Sequence, residues 1–319
     1  MPNTQKGRPR AASDARTRRQ PAPPPPNFFK RHPWVAKLSP IALVVVVLVT
    51  LIAVKVTNSP AAGLSSTTST SGQQAGSGDD GTTALPAGVL SEVTSVSAST
   101  LASVGQPSGL ALPSKVAGSP SLLTGSDGKP EILYIGAEYC PFCAAERWAM
   151  VEALSRFGSF TGLAATHSSD TDEYPGTQTF SFYGSTYSSP YLDFVPVEEE
   201  TNQPSGDGYT VLQAPTASEQ ATLTKYDTSP YTDDPGSIPF IDVGDHYLQI
   251  GASYNPQILQ GLSMQQIAAQ LDHPSSAVAQ AIDGTANEIT AAICTVTGNQ
   301  PASVCDTPTI NAIVHNLEQ

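Results

Sequence analysis

The chain has 319 residues, with 15 lysines and arginines against 28 aspartates and glutamates, and a formal net charge of −13 at pH 7. This length fits one large domain or two small ones. Nine of the basic residues lie within the first 37 positions, whereas five basic and 27 acidic residues follow position 56. The charge therefore divides the chain into a basic beginning and an acidic remainder. No nucleic-acid partner is expected for the basic beginning, because a predicted membrane segment follows it.

A stretch of seventeen uncharged and mostly apolar residues, 38–54, lies between Lys37 and Lys55. As a helix it would span about 26 Å, and the flanking lysines can extend it across a bilayer core of about 30 Å. Because the basic residues precede it, the positive-inside rule places the N-terminus in the cytoplasm. We predict a transmembrane signal anchor at 38–56 and a single-pass cell-membrane protein whose main domain is extracytoplasmic. A cleaved signal peptide fits less well because the basic region is too long.

Composition divides the rest of the chain. Residues 1–37 are rich in proline and arginine and are predicted to be a disordered basic cytoplasmic tail. Residues 57–84 are rich in serine, threonine and glycine and are predicted to be a flexible linker. Apolar residues return at 85–121, which we interpret as an N-terminal extension with one short helix near 86–104. This extension is expected to pack on a main domain at 122–319.

The motif Cys-Pro-Phe-Cys at 140–143 follows a strand-like stretch, 131–136, and begins a predicted helix that continues over 144–157. The N-terminus of a helix carries partial positive charge and stabilises a thiolate, which is the species that performs thiol–disulfide exchange. The negative charge of Glu138, next to Tyr139 before the motif, opposes this effect. A static disulfide is the alternative, but such a tight loop gains little stability from closure.

Further strands and helices are predicted from local patterns. Thr216 and Glu219 form a capping box, which indicates the start of a helix. A Gly-Asp pair between two apolar runs is a hairpin signal. The predicted strands are 160–166, 191–197, 238–243 and 246–250, and the predicted helices are 216–226, 263–271, 275–295 and 307–317.

The charged residues outside the motif are predicted to lie on the surface. Glu152 and Arg156 have i,i+4 spacing and are predicted to form an exposed pair on the helix. The acidic run 198–200 is most simply a solvated strand end. The five histidines share no catalytic or ligand spacing, so surface or packing roles are expected for them.

Cys294 ends a predicted helix, and Cys305 lies beyond a turn that contains Gly298 and Pro301. This placement suits a structural disulfide that closes a small loop in an extracytoplasmic domain. The alternatives are a second exchanging pair or a zinc site made by all four cysteines. The zinc site is disfavoured because the C-terminal pair lacks zinc-ligand spacing, and neither metal nor cofactor is expected.

The order of strand, CxxC, helix and a distant Ile-Pro before an antiparallel hairpin resembles the thioredoxin superfamily. The anchor, the linker, a tyrosine-rich insertion and the C-terminal cysteines make the chain similar to an uncharacterised membrane-anchored thioredoxin-like family of actinobacteria and archaea, a domain of unknown function. The resemblance covers residues 125–319. It implies an α/β, thioredoxin-like fold with an insertion at 168–215 and extra C-terminal helices.

The resemblance also implies site residues. Cys140 would be the exposed nucleophile, Cys143 the resolving thiol, and Pro239 a cis-proline whose loop, with Ile238, binds substrate. Tyr134 stands where thioredoxins usually carry a buried carboxylate, six residues before the first cysteine. The function implied is that of a membrane-anchored thiol–disulfide oxidoreductase acting on secreted or membrane proteins, with a membrane redox partner that resets the pair. The alternative is a non-catalytic binding or scaffold module with a static disulfide.

Overall fold

A computed structural model describes residues 81–118 and 120–319 as a mixed α/β protein. The predicted tail, membrane anchor and nearly all of the predicted linker lie outside these residues. Within the described part of the chain, no helix combines the length and apolarity needed to cross a bilayer.

The helices and strands are numbered in chain order. The helices are α1 (Val89–Thr94), α2 (Ala98–Val104), α3 (Pro141–Ser155), α4 (Ala217–Tyr226), α5 (Met264–Ala268), α6 (Ala277–Val296), α7 (Ala302–Cys305) and α8 (Pro308–Leu317), with a 3₁₀ turn at Pro256–Leu259. The strands are β1 (Ser114–Lys115), β2 (Glu131–Gly136), β3 (Ser159–Thr161), β4 (Ala164–His167), β5 (Gln178–Ser181), β6 (Thr186–Ser188), β7 (Asp193–Glu198), β8 (Glu200–Ser205), β9 (Gly208–Val211), β10 (Phe240–Val243) and β11 (Tyr247–Ile250).

A five-stranded sheet in the order β1-β11-β10-β2-β7 forms the centre of the fold. Strand β2 pairs in parallel with β7, and the other neighbours are antiparallel. The side chains of β2 alternate between two apolar clusters. Ile132 and Tyr134 join the larger cluster with α3 and α6, whereas Leu133 and Ile135 join a smaller one that includes Tyr226 of α4. Both faces of the sheet are therefore covered, which explains the continuous apolar sequence of β2.

Helix α3 is buried along almost its whole length because it lies between the sheet and α6. The prediction of an exposed pair on this helix is wrong. Arg156 does bind Glu152 at 2.7 Å, but the Glu152 side chain is only 2% exposed. Arg156 also donates to Asn287 and Thr290 of α6, so the long C-terminal helix covers the pair.

The N-terminal extension belongs to the same core as the rest of the domain. It contains two helices rather than the single one predicted, because Ser97 caps a new helix by accepting the N–H of Thr100. Val89 and Val93 are buried in the larger apolar cluster. Strand β1 forms an edge of the central sheet.

The region after α3 also differs from the prediction. The expected strand at 160–166 is interrupted at Gly162, whose φ is +78°, and becomes β3 and β4, which pair with β6 and β5 in separate two-stranded sheets. The range 168–215, predicted as one insertion, contains β7, which belongs to the central sheet. The small strands β5 and β6 precede β7 in this range, and β8 and β9 follow it.

The later elements follow the sequence patterns closely. The capping box of Thr216 and Glu219 is confirmed at the start of α4. The hairpin of β10 and β11 is also confirmed, but Val243 pairs with Tyr247, so its turn has three residues rather than two. Gly244 begins this turn with a φ of +64°. Helices α6 and α8 lie where long and short C-terminal helices were expected, and α5 is shorter than predicted.

Candidate active site

The first cysteine of the motif caps helix α3. Cys140 has an extended backbone, and its sulfur accepts the N–H of Cys143 at 3.3 Å. Pro141 occupies the first helical turn, where a missing N–H leaves no intrahelical bond unmade. The Cys140 sulfur therefore sits at the positive end of a 15-residue helix, an arrangement that stabilises negative charge on it.

A loop distant in sequence lies against this sulfur. The Ile238–Pro239 peptide bond is cis, and the carbonyl oxygen of Ile238 is 3.7 Å from the Cys140 sulfur. The carbonyl of Pro239 accepts the N–H of Gly251, which ties the loop to the end of β11. We call Cys140, Cys143, Ile238 and Pro239 the CxxC site.

The two cysteines differ in access, and both are free thiols in the structure. Cys140 is 5% exposed, so the expectation of an exposed nucleophile is too simple, since the Ile238 loop lies against the sulfur. Cys143 lies one helical turn deeper and is 0% exposed. Burial above all, together with the hydrogen bond to Cys140, raises the pKa of Cys143 well above its ordinary value. Any partner that reaches this pair therefore meets Cys140 first.

Tyr134 borders the site from the sheet side. Its side chain is fully buried, and its hydroxyl has no hydrogen-bond partner within the described residues. A Cβ added to Gly136 would collide with that hydroxyl and would stand 3.1 Å from the Cys143 sulfur. The hydroxyl and the sulfur therefore line the same small space. Burial raises the pKa of Tyr134 well above 10, so the hydroxyl stays neutral and can donate a hydrogen bond.

A buried ion pair lies behind Tyr134. Arg147 of α3 binds Glu198 of β7 in a bidentate manner, with Nε–Oε1 and Nη2–Oε2 distances of 2.8 and 2.7 Å. Neither side chain is exposed, and Arg147 also donates to the carbonyl of Ala137. Its guanidinium carbon is 5.9 Å from the centre of the Tyr134 ring. Sequence reasoning missed this pair because its two partners are 51 positions apart.

The prediction of a solvated strand end at 198–200 is therefore wrong. Glu198 and Glu200 are buried, and Glu199 is half-buried. The reason is the parallel pairing of β7 with β2, which brings Glu198 alongside Gly136, and the pairing of β8 with β9, which places Glu200 opposite Val211. The N–H of Glu199 donates to the carbonyl of Gly136 at 2.7 Å.

Glu138 binds two hydroxyl groups of the neighbouring small sheet. Its buried carboxylate accepts hydrogen bonds from the hydroxyls of Thr166 on β4 and Ser181 on β5. Its N–H donates to the carbonyl of Glu200 at 2.9 Å. The carboxylate thus holds the small β4–β5 sheet to the loop that precedes the motif.

Aromatic residues of the β4–β5 and β8–β9 hairpins flank the CxxC site. Tyr139 stacks on Tyr209 of β9 with 4.3 Å between ring centres, and Phe142 meets the edge of Tyr174 at 5.9 Å. Ser169 joins these parts, because its N–H donates to the carbonyl of Tyr139 and its hydroxyl accepts from Tyr209. The abundance of tyrosine was visible in the sequence, but no local pattern indicated which rings would meet.

The C-terminal cysteines lie far from this arrangement. Cys294 near the end of α6 and Cys305 at the end of α7 form a disulfide with a Cα–Cα distance of 5.5 Å, and both are buried. The two histidines nearest the hairpins bond to local backbone: His167 to Ser168 and His246 to Gly244. Within residues 81–118 and 120–319, no group of three or more histidine, cysteine or acidic residues has an arrangement suited to a metal ion.

Comparison with curated proteins and with solved structures found no match. A family model described as a domain of unknown function, DUF929, matches residues 119–295, which is more than half of the chain. The matched region includes both cysteines of the motif, the cis Ile238–Pro239 bond and Cys294, whereas Cys305 lies beyond it. The chain therefore belongs to the DUF929 family.

Proposed function

We propose that this protein is a membrane-anchored, extracytoplasmic thiol–disulfide oxidoreductase that acts on secreted or membrane proteins. The observation that carries the proposal is the position of the Cys140 sulfur. It caps a helix, accepts the N–H of Cys143, and lies 3.7 Å from the carbonyl of a cis Ile-Pro peptide. These features combine thiolate stabilisation with a backbone surface on which a polypeptide can bind.

The proposal includes a thioredoxin-like fold. In its support, β2 leads directly into the cysteine-capped α3, and the cis peptide precedes the antiparallel pair β10–β11, which adjoins β2 in the same sheet. The layer of α6, α7 and α8 and the small sheets around the CxxC site would then be additions to that fold.

The exchange would run in two steps. The Cys140 thiolate attacks one sulfur of a substrate disulfide, so that a mixed disulfide forms and the other substrate sulfur leaves as a thiolate that takes up a proton. Cys143 then loses its proton and attacks the Cys140 sulfur, which releases the second substrate thiol and leaves a Cys140–Cys143 disulfide. Two electrons and two protons reach the substrate. Substrate oxidation is the reverse, and a dithiol or disulfide protein of the membrane would reset the pair.

A different function, a binding module that does no exchange, is favoured by one observation. Cys140 is only 5% exposed, so a protein disulfide must displace part of the surrounding loop to reach it. In that case the aromatic residues around the motif would serve as an interaction surface and the cysteines would be inert.

Trapping experiments separate the two functions. In the full-length membrane protein, Cys143→Ser should accumulate mixed disulfides on Cys140, because the resolving thiol is missing. Cys140→Ser is the matched control and should accumulate few or none, since Cys143 is fully buried. Non-reducing gels and mass mapping of the linked peptides provide the measurement. The binding module would be supported if neither variant forms adducts and dithiothreitol leaves the wild-type pair unreacted.

A further inference from the structure

A cavity of about 440 Å³ lies beside the CxxC site. It is formed where the end of β7, the end of β9, helix α4 and the loop before Pro239 meet. Ile238 belongs to its lining, and the carbonyl of the same residue is 3.7 Å from the Cys140 sulfur. A polypeptide bound over the Ile238 loop with a cysteine at Cys140 would therefore have its neighbouring side chains at the mouth of this cavity.

The lining combines apolar walls with carboxylates. Val211, Leu223 and Ile238 supply apolar surface, and the Val211 side chain is 64% exposed. Glu199 and Asp227 supply the carboxylates, and the cavity has no basic residue in its lining.

The two carboxylates are available to a ligand. Asp227 accepts the N–H of Gly236 at 2.7 and 2.8 Å, which holds the carboxylate in place. Neither Asp227 nor Glu199 forms an ion pair within the residues that the structure describes. Lys225, near Asp227 in sequence, instead binds Asp245 at 2.7 Å. Burial, and then the charges of Glu200 and Glu198, raises the pKa of Glu199 to about 7, so a bound cation would favour its ionised form.

We infer that this cavity binds a lysine or arginine side chain of the substrate polypeptide, located one or two residues from the cysteine that reacts with Cys140. This inference rests on the proposed function and adds a substrate class to it: cysteine-containing polypeptides with a basic residue beside the reactive cysteine. A long aliphatic stem fits the apolar walls, and its cationic end would bind Glu199 and Asp227.

A single-turnover assay with three peptides tests this inference. The full-length protein in detergent is reduced, freed of reductant and mixed with a peptide whose only cysteine is disulfide-linked to mercaptoethanol. The peptides differ two positions after the cysteine, where they carry lysine, norleucine or glutamate. The lysine peptide should react about tenfold faster than the norleucine peptide, equivalent to about 1.4 kcal/mol, because its ammonium group gains a charge-assisted contact with a partly buried carboxylate. The glutamate peptide should be the slowest.

Variants of the cavity carboxylates test whether the preference for lysine arises at this cavity. Glu199→Gln combined with Asp227→Asn should reduce the lysine-to-norleucine ratio to less than about twofold, since both anionic partners are removed. Asp207→Asn is the matched control: Asp207 is exposed between β8 and β9 and does not line the cavity, so the tenfold ratio should remain. A ratio that falls equally in the control would show general attraction to an acidic surface and would overturn the cavity assignment.

The small neutral substrate hydroxyethyl disulfide separates a failure of the cavity assignment from a failure of the proposed function. If the wild-type protein reduces it but reacts equally with all three peptides, the cavity assignment is wrong and the proposed function stands. If the wild-type protein leaves hydroxyethyl disulfide untouched, the proposed function fails and the substrate class fails with it. Because these comparisons use the wild-type protein alone, they decide the matter even if a variant does not fold.

Discussion

The two cysteine pairs of this protein are both buried, yet their surroundings differ in kind. Cys140 and Cys143 lie at the N-terminus of α3, beside a cis peptide loop and a cavity open to solvent. Cys294 and Cys305 lie among the C-terminal helices and are joined to each other. Burial alone therefore does not distinguish the disulfide-bonded pair from the pair of free thiols. The informative features are the helix N-terminus, the neighbouring backbone loop and the direction from which a partner can approach.

The buried charges of the domain also form two contrasting groups. Behind the CxxC site, Arg147 and Glu198 form a compensated buried pair. Between α3 and α6, by contrast, buried carboxylates outnumber cations. There Glu152 binds Arg156, but neither Asp283 nor Glu288 forms an ion pair within the described residues. The following predictions test these differences, starting with the largest expected effect.

The largest effect concerns activity. Cys140→Ser should reduce the rate of hydroxyethyl disulfide reduction to the background rate, because the attacking sulfur is lost. The double variant Cys294→Ser/Cys305→Ser should keep the wild-type rate at a temperature where it remains folded, since its pair lies outside the CxxC site. Equal losses in the two variants would mean that the C-terminal pair takes part in exchange.

The second prediction concerns the buried ion pair. Arg147→Met should lower the free energy of unfolding by about 3–5 kcal/mol, because it leaves the carboxylate of Glu198 buried without its partner. The double variant Arg147→Met/Glu198→Met should recover much of this loss, since no buried charge remains. Urea unfolding provides the measurement. Lys225→Met is the control, because its pair with Asp245 is exposed on the lysine side and should contribute less than about 1 kcal/mol.

The third prediction concerns the C-terminal disulfide. Its loss in Cys294→Ala/Cys305→Ala should lower the free energy of unfolding by about 2–4 kcal/mol, because the unfolded chain is no longer constrained by the cross-link. Strong reductant should destabilise the wild-type protein by a similar amount and should leave the double variant unchanged. Destabilisation of that variant by reductant would point to a second stabilising disulfide, at Cys140 and Cys143.

The fourth prediction concerns pH. The pKa of Asp283 is raised from 3.8 to about 10, mainly by burial. The neighbouring carboxylates of Glu152 and Asp272 raise it too, whereas Arg156 lowers it. Between these values the folded protein retains a proton that the unfolded chain releases, so stability falls as the pH rises. Asp283→Asn should remove on the order of 1–2 kcal/mol of the decline between pH 5 and 8.

Some of that decline should remain in the Asp283 variant. Burial also raises the pKa values of Glu146 and Glu288 to about 7, so these groups contribute to the same pH window. Asp306→Asn is the control because Asp306 is exposed on the C-terminal helices. A pH profile of unfolding that is unchanged in Asp283→Asn would show that Asp283 is ionised in the folded protein.

The features that sequence predicted best are those determined by neighbouring residues. The capping box of Thr216 and Glu219 was identified correctly because both partners lie in one helical turn. Strand β2 and the start of α3 were also correct, since an apolar run and a proline at the helix start are local signals. Local signals therefore give the element that carries the two cysteines.

The features that sequence missed depend on contacts between distant segments. The acidic run at 198–200 looks solvated until β7 pairs with β2 and brings Glu198 to Arg147. Glu152 looks exposed until α6 covers α3. The two aromatic contacts beside the motif, Tyr139 with Tyr209 and Phe142 with Tyr174, likewise depend on the β8–β9 and β4–β5 hairpins. No local pattern specifies where these hairpins lie. In each case tertiary packing, rather than helix or strand propensity, determines the environment.

The smallest effect concerns Tyr134, which borders the CxxC site from the sheet side. In the proposed exchange, Cys143 must become a thiolate in a fully buried position when it resolves the mixed disulfide. The Tyr134 hydroxyl borders the same space and has no hydrogen-bond partner among the described residues. Tyr134→Phe should therefore raise the pKa of Cys143 further and lengthen the lifetime of the mixed disulfide by about three- to tenfold, the effect of one hydrogen bond to a charged sulfur. Ultraviolet titration of the thiolate and quenched single-turnover reactions provide the measurements. Stability should change little, because in the described part of the chain no hydrogen-bond partner of this hydroxyl is left unsatisfied by its loss. Tyr254→Phe is the matched control: its hydroxyl donates to the carbonyl of Ala145 at 2.6 Å, so its loss should lower stability by about 1 kcal/mol without altering the thiol titration. If the two variants affect the thiol titration equally, the Tyr134 hydroxyl has no specific role, and Cys143 must be ionised without help from the sheet side.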